Sequence, residues 1–150
     1  MSPFDLKAAL LAKHAQHVVL IHFPIALFMA SVFFDLLARW RRDKTMAAAA
    51  YFNLLGAAVT VGPTIVTGLL AWQLLLEGER PRGNLRLHMI LAISSSVLIW
   101  ILTWWRVRAA NVSERSVAGR YVTVELAAVV LIALTAHLGG ILSGVELPPA

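Results

Sequence analysis

The sequence contains no cysteine. Disulfides, thiolate-held iron–sulfur clusters and haem attached covalently through a CxxCH motif are excluded from the outset. Charge is almost as scarce: 14% of the 150 residues are Asp, Glu, Lys or Arg, against 59% hydrophobic, and the mean hydropathy is +0.76. A chain with so few polar side chains has too little polar surface to cover a water-soluble core, which places it among integral membrane proteins. Acidic residues are fewer than basic ones, 8 against 13, for a net charge of +5 and a pI near 10.5. In a soluble protein that balance would suggest nucleic acid. Here Lys and Arg occupy short segments between apolar runs, as topology signals and headgroup contacts do, and no nucleic-acid motif accompanies them. No nucleophile–base set, phosphate-binding loop or carboxylate dyad is present either, and the chain shows no internal repeat and no second domain.

What the sequence does have is long apolar runs. Four spans stand out, roughly 17–38, 46–76, 87–105 and 121–142, each long enough to cross a bilayer. The run beginning near Val18 is too long for a cleaved leader, and no small-residue cleavage site follows it. Ahead of it, Phe4, Leu6, Leu10 and Leu11 alternate with Asp5, Lys7 and Lys13, the pattern of a short amphipathic helix lying in the membrane interface. The connections RWRRDKT, EGERPRGN and RVRAANVSERSVAGR are short, so successive spans run antiparallel. The expected fold is all-α: a single transmembrane domain over 1–150, an up-down four-helix bundle with an N-terminal amphipathic helix. The second span exceeds what the bilayer requires and must tilt, kink or project. Its Gly62-Pro63 pair is the natural place for a kink.

Orientation follows the basic residues. The first and third connections hold Arg39, Arg41, Arg42, Lys44, Arg106, Arg108, Arg115 and Arg120; the N-terminal segment and the second connection hold Lys7, Lys13, Arg80, Arg82 and Arg86. The excess places connections one and three in the cytoplasm and both termini outside. Trp40, Trp104, Trp105 and Tyr121 mark the same inner boundary. There, Asp35 precedes Arg39 by four residues and is expected to pair with it, and Glu125 is expected near a loop arginine.

The second span carries Asn53, Ala57, Thr60, Thr64, Thr67 and Ala71 at alternating spacings of four and three, one helix face made only of small or polar residues. Such a face permits close helix packing, and it also leaves room for a flat cofactor.

Five histidines are present: His14, His17, His22, His88 and His137. At 1.5 Å per residue, His22 lies about 7 Å below His17, and His137, five residues before Leu142, lies about 7 Å from the same surface. His88 sits just under that surface at the start of the third span. Three histidines on three spans therefore share one leaflet, the outer one. Ala26 follows His22 by one turn, Ala92 and Ser95 share the side of His88, and Ala133, Gly140 and Gly144 share the side of His137, leaving space beside each imidazole. His17 points about 140° away from His22, so His14 and His17 are expected at the interface.

A histidine in a membrane helix often does no more than hydrogen-bond a neighbouring helix. Three at one level point instead to a ligand, because ionisable groups are costly inside a bilayer. Two imidazoles from facing helices suit b-type haem in a chain without cysteine. His22 and His137 are the first expectation for axial ligands because their depths match, with His88 as the alternative. Arg80, Arg82 and Arg86 are placed to pair with haem propionates, and equally to meet lipid headgroups. The rival set is a copper or zinc ion held by His22, His88 and His137.

The runs HFPIALF and FDLL in the first span, VTGLL over 66–70, Leu87-His88, and HLGGILSGV at the end resemble a bacterial membrane family catalogued as domain of unknown function 2231. The resemblance covers all four spans, and the family's histidines fall on His22, His88 and His137. Members are sometimes joined to Rieske-type iron–sulfur domains, which implies an electron-transfer setting. These 150 residues hold no such domain, which implies a separate electron partner, and Ala71 stands where an acidic residue often follows GLL. The combined expectation is a b-type cytochrome-like electron carrier of the bacterial inner membrane, working between a membrane donor such as quinol and a periplasmic redox protein. The alternatives are a non-catalytic accessory subunit of a larger redox or photosynthetic membrane complex, and a metal-binding or transport protein; a larger complex or a homo-oligomer is the expected assembly. Each is a carrier or subunit more than a stand-alone enzyme.

Overall fold

The computed structural model describes residues 15–75, 78, 80–109 and 115–144. Among them the chain is all helix apart from its turns: α1 (Ala15–Arg41), α2 (Lys44–Leu75), α3 (Gly83–Ala109) and α4 (Arg115–Leu142). Each helix contains a segment long and apolar enough to cross a membrane, and only 17–22% of each such segment is buried inside the bundle. Most apolar side chains therefore face outward, as Phe23, Phe33, Phe52, Val59, Ile93, Trp104 and Val130 do. In water that surface would be untenable, and in lipid it is the expected exterior. The helices outrun the apolar spans by a few residues because basic side chains such as Arg39, Arg41, Arg106 and Arg108 extend the last turns, where they favour the negative end of the helix dipole. The expected N-terminal amphipathic helix lies outside the described residues.

The bundle is built from two hairpins. α1 packs closely along α2 and α3 along α4, with thinner α2–α3 and α1–α4 seams between them. At the α1–α2 turn, Arg42 takes a left-handed conformation (φ 55°) and the Asp43 amide bonds back to the Ala38 carbonyl at 3.1 Å. Asp43 Oδ1 then accepts the amides of Thr45 (2.7 Å) and Met46 (3.4 Å), so one carboxylate caps the start of α2. Only two residues separate α1 from α2, which forces them antiparallel.

The small-residue face of α2 is what lets α1 come close. Ala57 is fully buried, Gly56 lies under the Leu27 side chain, and Thr64 Oγ1 reaches across to the Leu20 carbonyl at 3.4 Å. Close packing against α1 is therefore one role of this face. α2 runs through Gly62-Pro63 as one helix. Thr60, Thr64 and Thr67 donate their hydroxyls to carbonyls of Gly56, Thr60 and Pro63, which keeps these polar groups satisfied away from water. Ser31 donates to the Ala50 carbonyl at 2.8 Å, a further tie between α1 and α2.

Each helix turns one stripe inward at spacings of three and four. On α1 it runs His17, Ile21, Pro24, Phe28, Val32, Asp35; on α3 His88, Ala92, Ser95, Ile99, Leu102, Arg106; on α4 Tyr121, Glu125, Ala128, Ile132, Thr135, Gly139. The middle of these stripes, with Leu54, Ala57 and Val61 of α2, forms the apolar core. Polar residues sit at both ends of it.

Candidate functional site

Above the core, toward the ends that carry the α2–α3 connection, the two hairpins leave a cavity of about 100 Å³. His17, Ile21, Pro24 and Ile25 line it from α1, Val61 and Thr64 from α2, His88, Ala92, Ser95, Ser96 and Ile99 from α3, and Ile132, Thr135, Ala136 and Gly139 from α4. All four helices contribute, and two imidazoles from different hairpins share one half-open, mainly apolar space.

Both rings are held through Nδ1. His88 Nδ1 lies 3.0 Å from the Thr135 carbonyl oxygen. A carbonyl only accepts, so His88 carries a proton on Nδ1, and in the neutral ring the lone pair is on Nε2. His17 Nδ1 lies 3.2 Å from Thr67 Oγ1. That hydroxyl is within donating distance of the Pro63 (3.0 Å) and Thr64 (3.1 Å) carbonyls, so its proton is directed to its own helix and its oxygen accepts from His17. The second imidazole thus has the same tautomer as the first. An imidazole fixed by an Nδ1–H bond, with Nε2 unprotonated, is the arrangement that metal-ligating histidines use.

Glycine makes room for each ring. A Cβ at position 68 would lie 2.9 Å from His17 Cε1, and one at position 139 would lie 3.3 Å from His88 Cε1. Ser95 Oγ, 3.3 Å from Thr135 Oγ1, ties α3 to α4 just beneath His88.

The sequence-derived ligand set is not the set brought together here. His88 lines the cavity as expected. His22 does not: it is exposed on the outer face of α1, with Nδ1 2.7 Å from the Val18 carbonyl of its own helix. His137 is also exposed, two residues past Thr135 and off the inward stripe of α4. Equal depth was the argument for pairing these two, but depth fixes only one coordinate, and their azimuths turn both outward. His17, expected at the interface, takes the inward position because it begins the stripe that continues through Phe28 to Asp35. His14 lies outside the described residues. Arg80, Arg82 and Arg86 are exposed in the α2–α3 connection and the first turn of α3, at the cavity end of the bundle. Among the described residues, no three His, Asp or Glu side chains gather as a metal-binding group, so His22, His88 and His137 do not form a three-histidine site.

The model of a family described as predicted membrane protein, DUF2231, matches residues 13–145. The chain belongs to the DUF2231 family. The match runs from just before α1 to just past α4 and so takes in the whole bundle and its cavity. No curated protein and no solved structure matches the chain. The family description agrees with the four membrane-length apolar helices in making this a multi-pass membrane protein whose helices face lipid, and the resemblance read from HFPIALF and HLGG is confirmed at the level of the family. As a DUF2231 protein the chain has a family but no assigned chemistry, and its chemistry has to come from the site itself.

Proposed function

We propose that this protein is a membrane electron carrier that binds b-type haem between His17 and His88. The observation that carries the reading is the matched pair of imidazoles on two hairpins, each fixed through Nδ1 so that Nε2 is the ligating nitrogen. The donor set fits the group: neutral imidazoles and no thiolate. The small side chains of Ala92, Ala136 and Gly139 fit the approach of a flat ring. The volume does not yet fit, since about 100 Å³ is well below what a macrocycle occupies. Occupation requires the hairpins to part along their seam. Bound there, haem supplies a one-electron couple. Thr67 and Thr135 hold the two ring planes, Ile21, Ile25, Val61, Ile99 and Ile132 keep water out, and Arg82 and Arg86 at the cavity end supply positive charge for propionates.

Electrons then pass between quinol in the membrane and a soluble redox protein at the cavity end. The excess of basic residues in connections one and three supports a periplasmic position, on a bacterial inner membrane, for that end and both termini. A second reading, a single copper ion on the same two histidines, is favoured by the cavity's small volume.

The test is a visible spectrum of the detergent-purified protein, before and after haemin addition and dithionite reduction. A Soret band with sharp α and β bands, lost in His17→Ala and His88→Ala and retained in His22→Ala and His137→Ala, is the expected result. Stoichiometric copper without a Soret band selects the second reading. A protein that takes up neither group, or one whose haem survives both His17→Ala and His88→Ala, sinks the proposal.

A further inference from the structure

The inward stripes end, on the side away from the imidazole cavity, in a second polar cluster. Asp35 of α1 is 3% exposed; its Oδ2 accepts Arg39 Nε at 2.5 Å and its Oδ1 accepts Arg106 Nη1 from α3. The other Arg106 amino group donates to the Ala47 carbonyl of α2 at 3.3 Å, and the guanidinium lies over the Tyr121 ring, 5.6 Å from its centroid. Both guanidinium groups are thus committed to Asp35.

Glu125 of α4 is fully buried within reach of the same charges: Asp35, Arg39, Arg106 and Tyr121 all act on it electrostatically. Yet neither carboxyl oxygen makes a hydrogen bond of normal geometry, and neither does the hydroxyl of Tyr121, one turn earlier. An ionised carboxylate placed there would lose its hydration with only the neighbouring Tyr121 hydroxyl near enough to donate, a cost of several kcal/mol on general grounds. A metal ion does not solve the problem. Two guanidinium groups already occupy the cluster and repel it, and three unpartnered oxygens fall short of the six or more that hard cations take. A proton needs one oxygen.

We propose that Glu125 is a proton-binding site, held as a neutral carboxylic acid inside the bundle and exchanging its proton with water at the α1–α2 end. The step transfers H⁺ from hydronium to the carboxylate, forming one O–H bond and releasing water, with no change of oxidation state. Arg39, at the edge of the cluster and about one-third exposed, marks where it meets the aqueous side. Loss of the proton leaves two carboxylates against two guanidinium groups, and its gain leaves one positive charge in excess. Glu125 thereby sets the buried charge in this half of the bundle.

Infrared spectroscopy of the reconstituted protein, without added cofactor, tests this independently of the haem proposal. The expected result is a carboxylic-acid carbonyl band at neutral pH that shifts in heavy water and disappears in Glu125→Gln. Glu125→Gln should also keep the wild-type melting temperature within a few degrees, because an amide replaces a neutral acid almost atom for atom. Absence of the band in the wild type at neutral pH overturns the assignment, as does its persistence in Glu125→Gln or the failure of that variant to fold. A band removed by sodium chloride but not by choline chloride at constant pH would assign the site to a metal cation, and the proton assignment falls.

Discussion

A methyl group added at position 68 would sit 2.9 Å from Cε1 of His17, closer than unbonded carbons come, whereas one at position 139 would sit 3.3 Å from Cε1 of His88. Gly68→Ala must therefore push the His17 ring out of place, and Gly139→Ala asks only for a few tenths of an ångström. Overpacking of this kind costs about 1–3 kcal/mol, so Gly68→Ala should lower the melting temperature in detergent clearly more than Gly139→Ala. Equal melting temperatures for the two variants would mean that His17 is not held against α2 as described. At the other end, the contrast lies between the partners of one carboxylate. Arg106→Ala removes a mostly buried guanidinium and leaves buried Asp35 with Arg39 but one charged hydrogen bond short, which on general grounds costs about 1.5–3 kcal/mol. Arg39 is more exposed, and its loss should cost about 1 kcal/mol or less. Chemical or SDS unfolding of the two variants checks the order. The Asp35–Arg39 pair was legible in the sequence as an i, i+4 pair, while Arg106 was not, because its reach across 71 positions depends on which faces of α1 and α3 meet. The same gap explains the histidines: their depth could be counted along the chain, but which of them turn inward could not be read from depth. A signal was present nonetheless. Tracing back from buried Asp35 in steps of three and four passes Val32, Phe28, Pro24 and Ile21 and arrives at His17, and the same walk from Glu125 reaches Thr135 and Gly139 and misses His137.

Elements were far easier to read than sites, because a bilayer demands some twenty apolar residues in a row and four such runs leave little choice. The helices start and stop within a few residues of the apolar spans, except that α4 begins at Arg115, well before Tyr121, where charged and small residues continue the helix beyond the apolar part. The α1–α2 turn was not legible in detail. Arg42 adopts φ 55° without being glycine or asparagine, and the cost is offset by the Asp43 amide bond to Ala38 and the Asp43 cap on α2. A left-handed conformation costs a side chain about 1–2 kcal/mol, part of which glycine returns as lost chain entropy in the unfolded state. Arg42→Gly should therefore stabilise the bundle by about 0.5–1 kcal/mol, and Asp43→Ala should destabilise it by about 1 kcal/mol through loss of the cap. Thermal melts of both variants measure the signs. A fall in the melting temperature of Arg42→Gly would mean that the arginine side chain contributes more than its backbone costs.

On the scale of the whole molecule, the bundle is two tight hairpins on a looser seam, and the cavity lies between them, lined by all four helices. A half-open pocket of about 100 Å³ leaves its lining side chains short of packing partners. Filling such a space is one of the easier ways to gain stability, so a larger side chain there separates packing from ligand binding. Ala92, one turn below His88 on α3, lines this space. Ala92→Leu adds three carbons there while leaving both imidazoles in the sequence. The expected outcome is a higher melting temperature, by about 1 kcal/mol of stability, together with loss of haem or copper uptake. The two readouts separate the explanations. A more stable protein that still takes up its ligand would place the binding site elsewhere, on the outward histidines His22 and His137. A less stable protein would mean that the hairpins already meet too closely at Ala92 for the void to accept a side chain.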